Sequence, residues 1–81
     1  MNKAFPNPFL RYSLVEAALA NEIAAGHWPP GARMPGENAL IERFSVSRST
    51  VRRAVQNLAE RGLVKIQRGK GTYVIAAPSS G

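Results

Sequence analysis

At 81 residues, with eleven Lys and Arg against five Asp and Glu (formal net charge +6) and no cysteine, the chain is short and basic. It has the length of one domain with a thin core, because a chain of this size buries only about 60% of the surface it exposes when unfolded. Disulfides and thiolate metal sites are excluded, and no apolar run approaches the roughly 20 residues that cross a bilayer.

Residues 1–9 contain Pro6 and Pro8 and read as a flexible arm. They lack the basic start and long apolar stretch of a secretory signal, so a cytoplasmic setting is expected. From Leu10 to Ala25 the pattern is helical: Tyr12, Val15, Leu19 and Ile23 recur at spacings of three and four, and Gly26 is placed to stop the helix. "HWPPGARMPGE" follows, and its prolines and glycines forbid a regular element. A short extended piece near Arg33 and Met34 fits there, since the residue before Pro35 favours extended geometry.

A second, short helix is expected over Glu37 to Phe44, with Leu40, Ile41 and Phe44 on its apolar face and Gly36 as a cap that lacks a side-chain acceptor. Ser45-Val46 leaves room only for a turn. Ser47 then caps a third helix, its hydroxyl placed to accept from the amide of Ser49 or Thr50. Val51, Ala54, Val55 and Leu58 form the buried stripe of that helix, and Gly62 ends it. "LVKIQ", with Val64 and Ile66 alternating with Lys65 and Gln67, and "TYVI" read as two strands joined by the turn "RGKG". "AAPSSG" is expected to be a tail or linker. The domain therefore spans 10–75, with an arm at 1–9 and a tail at 76–81. Its class is mainly α with a small β-hairpin, a helix-turn-helix followed by a two-stranded wing.

Charge is distributed unevenly along this order. Residues 1–42 hold Lys3, Arg11 and Arg33 against Glu16, Glu22, Glu37 and Glu42, whereas residues 43–81 hold eight Lys and Arg against Glu60. Such asymmetry points to a polyanion on one face, or to a basic surface kept for solubility. Arg48 stands in the first turn of the third helix, where the helix dipole is already positive. An anion outside the protein is the expected reason for it. Arg48 and Arg52, one turn apart, present planar forks that can bond guanine O6 and N7 in a major groove. Ser47, Ser49 and Thr50 are hydroxyls suited to phosphate oxygens, and Arg53, angled outward, is a candidate phosphate contact. In the turn, Arg68 and Lys70 can reach phosphate or a narrow minor groove, with Gly69 allowing close backbone approach. "GKGT" is not a phosphate-binding loop, because Gly71 separates Lys70 from Thr72. Catalysis has little to work with: His27 is the single histidine, and no carboxylate pair is suggested. No cofactor, metal site or enzymatic activity is expected.

Taken together, "AAGHWPPGARMPGENALIERFSVSRSTVRRAVQNLAERGLVKIQRGKGTYV" resembles the N-terminal winged helix-turn-helix domain of the GntR (gluconate-repressor-like) family of bacterial transcription regulators. Ile23 and Gly26, Pro30-Gly31, Pro35, Glu37, Val46-Ser47-Arg48, Thr50-Val51-Arg52, Ala54, Leu58, Gly62-Leu63-Val64, Gly69 and Gly71-Thr72-Tyr73-Val74 fit the family's ordered motifs. The resemblance implies sequence-specific binding to double-stranded operator DNA, usually as a homodimer on a palindrome, by a regulator that is expected to repress. It implies Arg48 and Arg52 as major-groove readers, Ser47, Ser49 and Thr50 as phosphate or groove contacts, and Arg68, Gly69 and Lys70 as the wing tip. It also implies a C-terminal domain for dimerisation and a small-molecule effector, which these residues do not contain. Two positions depart from the pattern. Gly36 stands where the family has Ser, and Asn38 where many members have a DNA-contacting arginine; Asn38 can bond a phosphate or an adenine edge but adds no charge. A winged helix using its basic face on an acidic protein partner is the competing reading of the same residues.

Overall fold

The computed structural model describes residues 8–75. Their order is α1 (Pro8–Ala24), α2 (Glu37–Phe44), α3 (Arg48–Glu60), β1 (Val64–Gln67) and β2 (Gly71–Val74). The expected tail at 76–81 lies outside the described residues, as does the arm at 1–7. Residues 8 and 9, expected in the arm, instead open α1. Proline suits a first helical position, where its missing N–H costs no intrahelical bond.

All three helices end on a left-handed residue. In α1 it is Gly26 (φ 80°), with the His27 amide donating to the Glu22 carbonyl at 2.9 Å. In α3 it is Gly62 (φ 79°), with the Leu63 amide donating to the Leu58 carbonyl at 3.0 Å. These bonds satisfy carbonyls that a helix end otherwise leaves open. In α2 the same position is Ser45, at φ 56°. A serine there carries a Cβ that crowds the backbone, the one non-glycine residue at positive φ among those described.

The core is formed by Val15, Leu19 and Ile23 of α1, Leu40 of α2, Val51, Ala54 and Leu58 of α3, Val64 and Val74 of the hairpin, and Met34. Trp28 and Phe44 pack against its edge. The strands pair antiparallel with Val64 opposite Val74 and Ile66 opposite Thr72. The return strand runs from Gly71 to Val74, one residue earlier than "TYVI" suggests, because Gly71 pairs with Gln67. Arg33 bridges to Tyr73, and the Met34 amide donates to the Thr72 carbonyl at 2.8 Å, so the extended piece after the prolines lies along the outer edge of β2.

Ile66 differs from its neighbour on the strand. Alternation places it on the same face as Val64, which is buried, yet Ile66 is 47% exposed. The hairpin leaves the core after its first inward pair and projects past the helices, so the second pair overhangs a cleft beside α3. That overhang is what makes the hairpin a wing.

Candidate nucleic-acid interface

The cleft lies between α3 and the wing. Its walls include Glu37, Arg52 and Gln56 on the helical side, and Arg33 and Arg68 to Thr72 on the wing side. The first turn of α3 is held by its cap. The Ser47 Oγ accepts from the Thr50 amide at 3.2 Å and lies 2.9 Å from the Thr50 Oγ1 and 3.2 Å from the Ser49 Oγ. Ser47 and Ser49 are exposed, but Thr50 is buried at 6%. The structure therefore places Thr50 in the cap and does not bring its hydroxyl to the surface with the other two.

Arg48 has an anion inside the protein, beside whatever it meets outside. Its Nη1 donates to the Glu37 Oε1 at 2.5 Å and its Nη2 to the Asn38 Oδ1 at 3.1 Å. Arg52 shares the same carboxylate, its Nε donating to the Glu37 Oε2 at 2.6 Å. Hydrogen bonds from Arg52, then from Arg48, hold the Glu37 carboxyl below its ordinary range, and the Arg52 guanidinium is raised in turn by Glu37. A guanidinium carries five N–H donors. Arg52 uses its Nε side on Glu37, with only a long 3.5 Å contact from Nη2, so the terminal edge of its fork stays open. That edge presents two N–H groups that can match guanine O6 and N7. Both arginines remain more than half exposed, at 52% for Arg48 and 64% for Arg52. Glu37 thus locks two flexible side chains side by side while leaving donors facing out. Asn38, expected as an independent contact, serves here as a partner of Arg48.

Arg53 lies elsewhere. Its guanidinium stacks over the Tyr12 ring at 4.8 Å, toward α1, and it does not line the cleft. The outward angle read from helical periodicity is correct for its Cα, but the long side chain folds onto an aromatic neighbour. On the wing, Arg68, Gly69 and Lys70 are exposed at the turn, which is closed by the Lys70 amide on the Gln67 carbonyl at 2.9 Å. Gly69 takes φ 76°, the value that a tight turn asks of glycine.

Three lining residues carried no role in the sequence reading. Glu37 was a motif match only, although it is the sole carboxylate near the start of α2 among the described residues. Gln56 stands one turn beyond Arg52 on the same line of α3, exposed and in the cleft. Arg33 enters the sequence reading only as a charge and as part of the extended piece before Pro35. No helix among the described residues is long and apolar enough to cross a membrane, and no group of metal-ligating side chains is found among them.

Comparison with known proteins places this geometry. Residues 11–74 match the model of the bacterial regulatory proteins, gntR family. The chain is 38% identical over 72 residues to the histidine utilization repressor of Klebsiella aerogenes, covering 89% of this chain and 29% of that protein. It is 41% identical over 61 residues to the fatty acid metabolism regulator protein of Pasteurella multocida, covering 75% of this chain and 25% of that protein. The chain thus spans under a third of the length of these relatives. Among solved structures, the DNA-binding domain of AraR in complex with operator ORE1 superposes with a TM-score of 0.79 at 34% identity, covering 91% of this chain and 88% of that one. The fold is the winged helix of such domains, and the chain belongs to the gntR family of bacterial regulatory proteins.

Proposed function

We propose that this chain is the DNA-binding part of a bacterial transcription repressor and reads a palindromic operator, with the start of α3 in the major groove and the wing in the adjacent minor groove. One observation carries the reading: Arg48 and Arg52 share a single carboxylate and stay more than half exposed, and Arg52 lines the cleft whose other wall is the cationic wing turn. In this reading Arg48 and Arg52 contact bases. Ser47 and Ser49 contact phosphates at the helix start, and Asn38 adds a contact from α2. Arg68, Gly69 and Lys70 enter the minor groove. Thr50 acts through the cap, and Arg53 leaves Tyr12 if it reaches phosphate. Homodimerisation and response to a small-molecule effector belong to the longer protein, through a further domain. The proposed role is regulatory and cytoplasmic, at the nucleoid, with no catalysis and no cofactor.

The test is selection of bound sites from a random duplex library with a forced dimer of the chain. A recovered palindrome is the expected result. Replacing Arg48 or Arg52 by Ala is expected to cost about 1–3 kcal/mol on the selected site and to relax preference at the bases contacted. If both variants keep the wild-type preference, the two arginines are not the readers. If no duplex is retained at low salt while an acidic protein surface is, the basic face serves a protein partner.

A further inference from the structure

The wing's cationic turn has a neighbour that the family motifs leave as a variable position. Arg33 lies along the outer edge of β2, its backbone bridged to Tyr73. Its side chain reaches across the strand to Gly71. A Cβ built on Gly71 would stand 2.7 Å from the Arg33 Nε and 3.2 Å from its Nη2. The missing side chain of Gly71 is therefore the seat of the Arg33 guanidinium, in addition to the φ of 130° that glycine adopts there. Arg43, Arg48, Arg52 and Arg61 each have a glutamate partner, whereas Arg33 has none among the described residues. It is exposed, and it lines the same cleft as Arg52, Arg68 and Lys70.

A guanidinium seated against backbone in a cleft whose one carboxylate, Glu37, is already taken by Arg48 and Arg52, with no internal anion of its own, is built for an external one. We propose that Arg33 is a third cation of the wing, contacting a DNA backbone phosphate beside the groove that the turn enters. The inference rests on the DNA-binding reading above. Arg33 reports no sequence in this role; it sets how the wing sits on the duplex. The contrast with Arg52 is chemical. Arg52 is held by a carboxylate that leaves one fork edge for a base, whereas Arg33 is held by packing and shares its donors with no carboxylate.

The experiment compares the 81-residue chain with its Arg33→Met and Arg33→Lys variants. Affinity is measured by fluorescence anisotropy over a salt series, on the duplex recovered by selection and on one of scrambled sequence. Methionine keeps apolar bulk over Gly71 without charge; lysine keeps charge without the fork. A phosphate contact contributes about 0.9 to the slope of log K against log salt. Arg33→Met is expected to weaken both duplexes by the same factor and to lower the slope by about 1, and Arg33→Lys is expected to keep the slope. A wild-type slope in Arg33→Met overturns the inference, since packing over Gly71 then suffices. An equal loss of slope in both variants also overturns it, because charge is then not what matters. So does a loss confined to the selected duplex, which would make Arg33 a base reader. If the unmodified chain binds neither duplex, the DNA-binding reading itself falls, an outcome distinct from the other three.

Discussion

Glu37 does two jobs with one carboxylate. It starts α2, where its charge suits the positive end of the helix dipole. It also neutralises Arg48 at the start of α3, where that dipole repels a cation. Because Arg52 and Arg48 hold the Glu37 carboxyl below its ordinary value of 4.5, the linkage has a definite sign. A depressed folded pKa adds stability that is present above the unfolded value and is lost as pH falls through the folded one. Glu22 behaves alike, lowered by its hydrogen bond from Arg43. Thermal unfolding across an acid series is therefore expected to show a midpoint that is flat above about pH 5 and falls below it. Glu37→Gln should remove part of that fall, and Glu22→Gln another part. Unchanged acid sensitivity in both variants would mean that the pairs contribute nothing, as many exposed pairs do. Glu37→Gln has a second expected effect. With the clamp weakened, Arg48 and Arg52 must be ordered on binding, so preference for a selected site should fall more than affinity for a random one, as a paired titration of both duplexes would show.

The elements of this fold are punctuated by local chemistry, and that is why they could be read without a structure. Ser47 before "RSTV", Gly36 before "ENAL", and Gly26 and Gly62 after two apolar stripes are cap signals that act within four residues. What stayed hidden acts over longer separations. The Arg48–Glu37 pair spans 11 residues and the Arg52–Glu37 pair 15, and no period of a helix or strand reports either. The same holds for Arg53, whose partner Tyr12 lies on another helix. The exposure of Ile66 was equally out of reach, because alternation tells which face a residue occupies and not whether that face is still covered. Two substitutions test the punctuation. Ser47→Ala removes the acceptor of the Thr50 amide and also leaves the buried Thr50 hydroxyl without its partner, so a loss of about 1 kcal/mol is expected in urea unfolding. Ser45→Gly should change stability in the opposite direction by up to about 1 kcal/mol, because glycine enters the left-handed region without a steric penalty. A destabilised Ser45→Gly variant would show that the serine side chain, and not the backbone conformation, matters in the turn.

Folding redistributes the charge that is lopsided along the chain. Three of the glutamates in the near-neutral first half, Glu16, Glu22 and Glu37, pair with Arg61, Arg43, Arg48 and Arg52 of the basic second half. Glu16 also accepts from the Asn57 side-chain Nδ2 at 2.9 Å, which fastens the end of α3 to α1. The pairs thus serve the packing of the helices, and of the six cations without a carboxylate partner among the described residues four, Arg33, Lys65, Arg68 and Lys70, lie on the hairpin or along its edge, the other two being Arg11 and Arg53. Net charge alone predicts that removing any arginine weakens DNA binding equally. The folded arrangement predicts otherwise, because only cations that displace condensed counterions from phosphate change the salt dependence. An Arg68→Ala/Lys70→Ala double variant is expected to lower the slope of log K against log salt by about 2 on a random duplex, at roughly 0.9 per phosphate. An Arg43→Ala/Arg61→Ala double variant removes the same formal charge and is expected to leave that slope unchanged, while lowering the unfolding midpoint through its lost links to α1. Equal slopes for the two double variants would show that total charge, and not its placement at the wing, drives association.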